Sequence, residues 1–358
     1  MSADTLFTPV TLGNLTLKNR MVMAPMTRNR AAAGNIPQAM NVEYYRQRAS
    51  AGLIISEATQ VSPEGIGYPG TPGIHSEAQA GGWKKVTDAV HDEGGFIYLQ
   101  LWYCGRISHP DLLPDGQTPV APSAIKPEGE AVTFEGMKAF VEPRALEINE
   151  IQHIVAQYKN AAQMAKQAGF DGVEIHSANG YLLDQFLRDG TNKRSDEYGG
   201  NEENRMRFLN QVIDAVLEVW HSKSVGIRLT PENSFNSMSD SNPQAHFNYF
   251  ISQLNSRNLA YLHILEGDML GAAKTVNYRS LRECYKGIYM ANNGYDKDRA
   301  QTAIANGDCD LVAFGVPFIA NPDLVQRYKN NLPLNEADQA TFYGGDETGY
   351  TDYPFAGQ

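Results

Sequence analysis

Cysteine is scarce: Cys104, Cys284 and Cys309 are the three in 358 residues. They are too few and too scattered for a disulfide framework, a zinc finger or an iron–sulfur centre. Clusters of Lys and Arg are also missing, and the formal charge of −11 argues against nucleic acid or an anionic membrane as partner. No apolar run approaches the roughly 18 residues that a membrane span needs, the longest being broken by Gly or Pro. The N-terminal stretch MSADTLFTPVTLGNLTLKNR has no basic head followed by an apolar segment, so no secretory signal is read there. No GxGxxG follows a strand-like segment, which removes the dinucleotide-binding fingerprint. No repeat, low-complexity tract or linker divides the chain either. These absences leave a cytoplasmic protein of one domain spanning 1–358, acting on small molecules as a monomer or homodimer.

What is present is a regular alternation. Apolar residues make up 42% of the chain, enough for a sizeable core. Residues 7–18 read as a β-hairpin, with Gly13-Asn14 turning between TPVTL and LTLKN. Eight near-continuous apolar strands follow at 20–24, 53–57, 96–101, 173–176, 225–229, 261–265, 288–291 and 311–314, as strands covered on both faces should be. Helical periods lie between them: Ile154, Val155, Tyr158, Ala161, Ala162 and Ala165 on one face, and Met206, Leu209, Ile213, Val216 and Leu217 on another, with Asn201 as its cap. The fold class is therefore α/β, a closed (β/α)8 TIM barrel, with a doubly wound open sheet as the alternative. Between Cys104 and Leu146 lies a stretch with six prolines, too long for a plain connection and placed after the third strand as a lid. The Gly- and Tyr-rich tail, FYGGDETGYTDYP, is expected to fold back across the same mouth.

Active sites of such barrels sit at the C-terminal strand ends. The richest is FDGVEIHSANGYLLDQFLRDGTNKRSDEYGG, where His176, Asn179 and Tyr181 can converge just past a buried strand. An imidazole, an amide and a phenol suit gripping a carbonyl oxygen and delivering a proton. The same residues also read as an Asn-Gly turn with a capping His and a packed Tyr. Glu57, Glu174 and Glu266 with His176 can be drawn as a metal set, but two of these carboxylates stop short of their strand ends, where pairing with Lys or Arg is the better reading; no metal is expected. The remaining strand-end residues suit a planar heterocycle bearing a phosphate. Gln100 offers an amide to a pyrimidine edge. Arg228 brings a permanent charge beside the ring position that becomes negative on reduction, and Thr27 offers a hydroxyl. Asn293-Gly294 and Gly315-Val316 are glycine-bearing turns suited to a phosphate. Each of these residues has an ordinary structural reading as well.

The chain resembles the Old Yellow Enzyme family of FMN-dependent ene-reductases, in its bacterial N-ethylmaleimide-reductase and pentaerythritol-tetranitrate-reductase branch. The resemblance rests on LGNLTLKNRMVMAPMTRNRA, EYYRQRASAGLIISEATQVSPEGIGYPGTPGIHS, LQLW with GRISHP, PVAPSAI, HSANGYLLDQFLRDGTNKRSDEYGG, FIANPDL and FYGG with GYTDYP. It implies bound FMN and a nicotinamide donor, NADPH foremost and NADH second. It further implies reduction of the activated C=C bond of enones, enals and maleimides, with nitro compounds or nitrate esters as the alternative substrates. Residue by residue, His176 and Asn179 match the pair that binds the substrate oxygen, and Tyr181 matches the proton donor. Thr27, Gln100 and Arg228 match flavin contacts, and Pro25, Met26 and Ala58 match positions where backbone lies against the flavin. Tyr68, Trp102 and Tyr350 match pocket aromatics.

Two positions depart from the family pattern. Phe314-Gly315-Val316 stands where most relatives have FGR, so the arginine that pairs with the FMN phosphate is missing and weaker FMN retention is expected. Tyr103-Cys104 stands where many relatives have His-Val, which is expected to alter one side of the pocket, with Cys104 as a packed thiol.

Overall fold

The computed structural model describes residues 5–272 and 274–357. The first four residues of the N-terminal stretch, with Ala273 and Gln358, lie outside them. Eight strands form the centre: β1 (Met21–Met23), β2 (Leu53–Ile55), β3 (Ile97–Trp102), β4 (Gly172–Ser177), β5 (Val225–Leu229), β6 (Tyr261–Leu265), β7 (Tyr289–Asn292) and β8 (Leu311–Phe314). Every neighbouring pair is parallel, from β4 round through β8 to β1, β2 and β3. Pairing of β4 with β3 closes the ring, so the sheet is a barrel and the open-sheet alternative is excluded. The helices outside it are α1 (Ala39–Gln47), α2 (Glu77–Asp92), α3 (Ile148–Gln167), α4 (Leu182–Leu187), α5 (Glu202–Leu217), α6 (Pro243–Leu254), α7 (Tyr278–Cys284), α8 (Lys297–Asn306), α9 (Val316–Ala320) and α10 (Leu324–Asn330). Among the described residues, no helix is long and apolar enough to cross a membrane.

Strand alternation sorts the side chains into two cores. Outward-facing Leu99, Val173, Ile175, Ile227 and Leu229 join the helix faces in the larger one, including Ile151, Ile154 and Tyr158 of α3. Each such aliphatic side chain, fully buried, contributes about 1.5–3 kcal/mol. The cap expected for α5 is present: Asn201 Oδ1 accepts from Asn204 N at 2.9 Å, which is worth about 1 kcal/mol. The inner core is Val22, Leu53, Tyr98, Tyr261, Met290 and Leu311, plugged from below by Leu12 and Leu17. Those two belong to the expected N-terminal hairpin, Val10–Leu12 paired with Leu15–Leu17. Gly172 and Gly226 make room for this layer, since a Cβ on either would lie 2.4 or 2.2 Å from the ring of Tyr98 or Tyr261.

Above those rings the inward positions turn polar. Register sets Glu174 beside Gln100, and Arg228 beside both His176 and His263. The long segment after β3 is built as a lid: its hairpin, Glu130–Thr133 with Gly136–Ala139, leans on Trp102, Cys104, Ile107 and Tyr181 through Ala131 and Phe140.

Candidate active site

A cavity of about 1290 Å³ opens at the C-terminal end of the barrel. Pro25, Met26 and Thr27 after β1 line it, as do Ala58 after β2, Gln100 and Trp102 of β3, and Arg228 of β5. Asn293-Gly294, Gly315-Val316, Tyr68 and the trio His176, Asn179 and Tyr181 complete the set of expected residues on its wall.

Tyr350 is the exception. It is fully buried, stacked on Tyr44 at 4.1 Å between ring centroids, and accepts a bond from Asn41 Nδ2 at 2.9 Å. Arg28 explains the displacement: its guanidinium holds the tail by the carbonyls of Thr341, Phe342 and Gly349. The turn so fixed sends Phe342 and Tyr343 to the cavity and tucks Tyr350 behind it. Sequence reading also missed Val132, Thr133 and Phe134 of the lid hairpin, and Phe235 and Met269 on two further loops; only their neighbourhood to strand ends could have flagged them. Tyr103 and Cys104 pack behind the wall, Tyr103 in the outer core and Cys104 under Trp102 and Tyr181. Burial pushes the Cys104 thiol well up, which makes it a packed, unreactive group.

The turn after β4 explains how the trio converges. Asn179 and Gly180 both take positive φ, 54° and 78°, conformations that Asn and Gly tolerate best. A Cβ at Gly180 would lie 2.7 Å from Met238 Cγ. The turn is held by Asn179 N donating to Thr230 Oγ1 (2.8 Å) and Gly180 N donating to Asp184 Oδ2 (2.9 Å). It delivers Tyr181 as the N-cap of α4, with Leu182 N bonded to Tyr103 O across to β3.

Asn179 has one defined amide orientation. Asn233 Oδ1 accepts from Met269 N at 3.2 Å and Phe235 N at 3.4 Å, so the Asn233 amide must donate to Asn179 Oδ1, at 3.1 Å. Asn179 Nδ2 is therefore left as a donor. His176 is buried, and burial together with Arg228 and His263 holds its pKa well below the ordinary imidazole value. The ring is neutral, and its Nδ1 has no partner among the described residues. Tyr181 is edge-on to Trp102 and His176, with centroids at 4.9 and 5.2 Å, and its hydroxyl is 3.0 Å from that of Tyr68. Burial, then the neighbouring Tyr68, raises its pKa well above that of a free phenol, so it stays protonated.

The three carboxylates considered for a metal belong to separate networks. Glu57 accepts from Arg28 N and Tyr45 Oη, and Glu266 from Tyr289 and Tyr295. Glu174 accepts from Gln100 Nε2 and His263 Nδ1. The pairing with Lys or Arg expected for Glu57 and Glu174 is thus replaced by a backbone amide, a phenol, an amide and an imidazole.

The cavity suits an isoalloxazine and its phosphate chain. Its polar atoms cluster on Gln100, Arg228, Thr27 and the trio, with Arg228 Nε and Trp102 Nε1 unpartnered among the described residues. At Gly315 a Cβ would meet nothing nearer than Met26 Sδ at 3.6 Å, so backbone there is open to close approach.

The family model described as the NADH:flavin oxidoreductase / NADH oxidase family matches residues 5–335. A relative from Leishmania infantum, named probable flavin mononucleotide-dependent alkene reductase, is 44% identical, over 99% of this chain and 98% of its own. Among solved structures, morphinone reductase superposes with a TM-score of 0.95 at 51% identity, covering 98% of this chain and 96% of that one. The Old Yellow Enzyme homologue from Zymomonas mobilis gives 0.95 at 42% identity, covering 98% and 99%.

Proposed function

From the NADH:flavin oxidoreductase / NADH oxidase family, to which this chain belongs, we propose that it is an FMN-dependent ene-reductase of the Old Yellow Enzyme type, with the whole chain acting as one barrel domain. The reading rests on one observation above the others: the neutral His176 ring, the outward-turned Asn179 amide and the protonated Tyr181 hydroxyl line one cavity with Gln100 and Arg228.

FMN, once bound, would supply the redox chemistry, the transfer of a hydride from a nicotinamide nucleotide to the β-carbon of an α,β-unsaturated carbonyl compound. His176 and Asn179 Nδ2 hold the carbonyl oxygen, which gains negative charge as the β-carbon is attacked. Two preorganised donors aimed at that oxygen lower the barrier, each being worth about 10²–10³ in rate. Tyr181 gives its hydroxyl proton to the α-carbon. Gln100 would hold the pyrimidine edge of the cofactor, and Arg228 would stabilise the negative charge that edge gains on reduction. Pro25, Met26, Thr27 and Ala58 would pack along the ring, and the Gly294 and Gly315 turns would hold the phosphate through their backbone. Tyr68, Trp102 and the lid hairpin cover the substrate and keep water out.

Family resemblance favours NADPH as the donor. NADH is the second donor, since among the described lining residues Arg228 is the single permanent cation. The deciding experiment is spectroscopic. The purified protein should be yellow, bleach with NADPH under anaerobic conditions, and recover its colour when an enone is added. A colourless protein that takes up no FMN overturns the reading, and repeating the titration with NADH ranks the donors.

A further inference from the structure

Arg228 is not an isolated cation. Its Nη1 donates to His263 Nε2 at 3.1 Å, and His263 Nδ1 lies 2.9 Å from Glu174 Oε2. The other carboxylate oxygen of Glu174 takes Gln100 Nε2 at 2.7 Å. Guanidinium can only donate and carboxylate can only accept, so the imidazole between them has one possible state: neutral, with its proton on Nδ1. Burial, then the nearby Arg228, pulls the His263 pKa down to about 4, in agreement with that geometry. Burial pushes Glu174 upward, but His263, Arg228 and Gln100 outweigh it and hold the carboxyl below its ordinary value. The chain is thus Arg228⁺, His263 neutral, Glu174⁻, with no net charge.

Each end is fixed. Asn292 Nδ2 donates to Ala313 O at 2.8 Å, which turns its Oδ1 to accept from Arg228 Nη2 at 3.0 Å. Glu174 and His263 are fully buried, and Tyr98 and Tyr261 close the layer below. Water therefore screens this charge pair weakly.

We propose that Glu174 is a positioning residue whose charge, held in line with Arg228 by the neutral His263 bridge, lowers the reduction potential of the bound flavin. The proposal builds on the FMN reading above. Arg228 alone favours the reduced cofactor, which carries negative charge at its pyrimidine edge; Glu174, relayed through the imidazole, offsets part of that charge. Glu174 also fixes the Gln100 amide, presenting Gln100 Oε1 and its second N–H away from the carboxylate.

The test is the midpoint potential of the holoenzyme, measured against reference dyes under anaerobic conditions, together with the FMN dissociation constant of each variant. Glu174→Gln removes the negative charge with little change of shape, its oxygen kept for His263 Nδ1–H and its N–H met by a turned-over Gln100 amide. The potential should move positive, the reduced form gaining about tenfold in affinity over the oxidised form, which for a two-electron couple is about 30 mV. His263→Gln keeps a donor toward Glu174 and an acceptor toward Arg228, so its potential should stay at the wild-type value. Should Glu174→Gln fail to fold, the double variant Glu174→Gln/His263→Gln lets neighbouring amides satisfy one another and carries the same positive shift. An unmoved potential in the charge-removing variant, or an equal shift in His263→Gln alone, overturns the proposal. Absence of bound flavin from the wild-type protein would instead sink the FMN reading, a result visible before any variant is made.

Discussion

The hydroxyls of Tyr68 and Tyr181 stand 3.0 Å apart at the wall of the cavity, so the candidate proton donor enters the reaction already hydrogen-bonded. Tyr181→Phe should slow enone reduction by about 10²–10⁴-fold, the usual worth of a positioned general acid. Flavin reduction by the nicotinamide should be untouched. Tyr68→Phe leaves the Tyr181 proton in place and removes one hydrogen bond, so a loss of about two- to tenfold is expected. Rapid-mixing measurement of the two half-reactions separates these outcomes, and equal damage to both halves by Tyr181→Phe refutes its role.

That pair also marks how far sequence reading reaches. The eight strands are legible because each is covered on both faces and reads as an apolar run; the boundaries expected at 20–24 and 53–57 shrink to Met21–Met23 and Leu53–Ile55. His176, Asn179 and Tyr181 are legible because one turn carries all three. Tyr350 is misplaced by sequence reading because its position depends on Arg28 gripping the tail more than three hundred residues away, a contact no local pattern encodes. Glu174 and His263 were open to a better reading. They share the inward face with His176 and Leu265, two residues further along their strands, and an ionisable group at an inward position of an apolar strand demands a partner inside the barrel. What that partner is depends on register between strands distant in sequence.

Asn233 is expected to matter through Asn179 alone. Its 3.1 Å bond makes Asn179 present a donor to the cavity. In Asn233→Asp the carboxylate still accepts from Met269 N and Phe235 N but has no proton to give. The Asn179 amide then turns over, aims its oxygen at the substrate oxygen, and the clamp loses a donor. The kcat/KM for an enone should fall toward the about 10²–10³-fold loss of a missing oxyanion donor, with the nicotinamide half-reaction preserved. An Asn233→Asp variant with unchanged affinity for a carbonyl ligand removes this role.

Val316 offers a gain-of-function test. It is half exposed at the start of α9 and lines the cavity beside Gly315. Restoring the family's arginine, Val316→Arg, adds a charge-assisted contact of about 1.5–3 kcal/mol to a phosphate there. FMN should then dissociate with a constant roughly ten- to hundredfold lower, measured by fluorescence on rebinding to the apoprotein. No change in that constant means the phosphate is held elsewhere.

Glu57 ties the pH dependence of stability to the back of the same wall. Its carboxylate is buried and accepts from Arg28 N and Tyr45 Oη at 3.2 Å each. Burial pushes its pKa up to about 7, against the opposing hydrogen bond and charge of Arg28. An acid whose folded pKa exceeds its unfolded value binds more protons folded than unfolded. Stability is therefore lost as pH rises from the unfolded value of 4.5 through about 7, and is level above that. The full cost is about 3 kcal/mol, from the roughly 1.4 kcal/mol that each unit represents. Glu57→Gln keeps an oxygen for Arg28 N–H and an N–H for the Tyr45 oxygen while removing the charge. Its melting temperature should fall less than that of the wild type between pH 5 and pH 8, and the two should differ most at pH 8. Parallel melting curves across that range would show that Glu57 is ionised at the same pH in the folded and unfolded chain, and that the Arg28 contacts fully offset its burial.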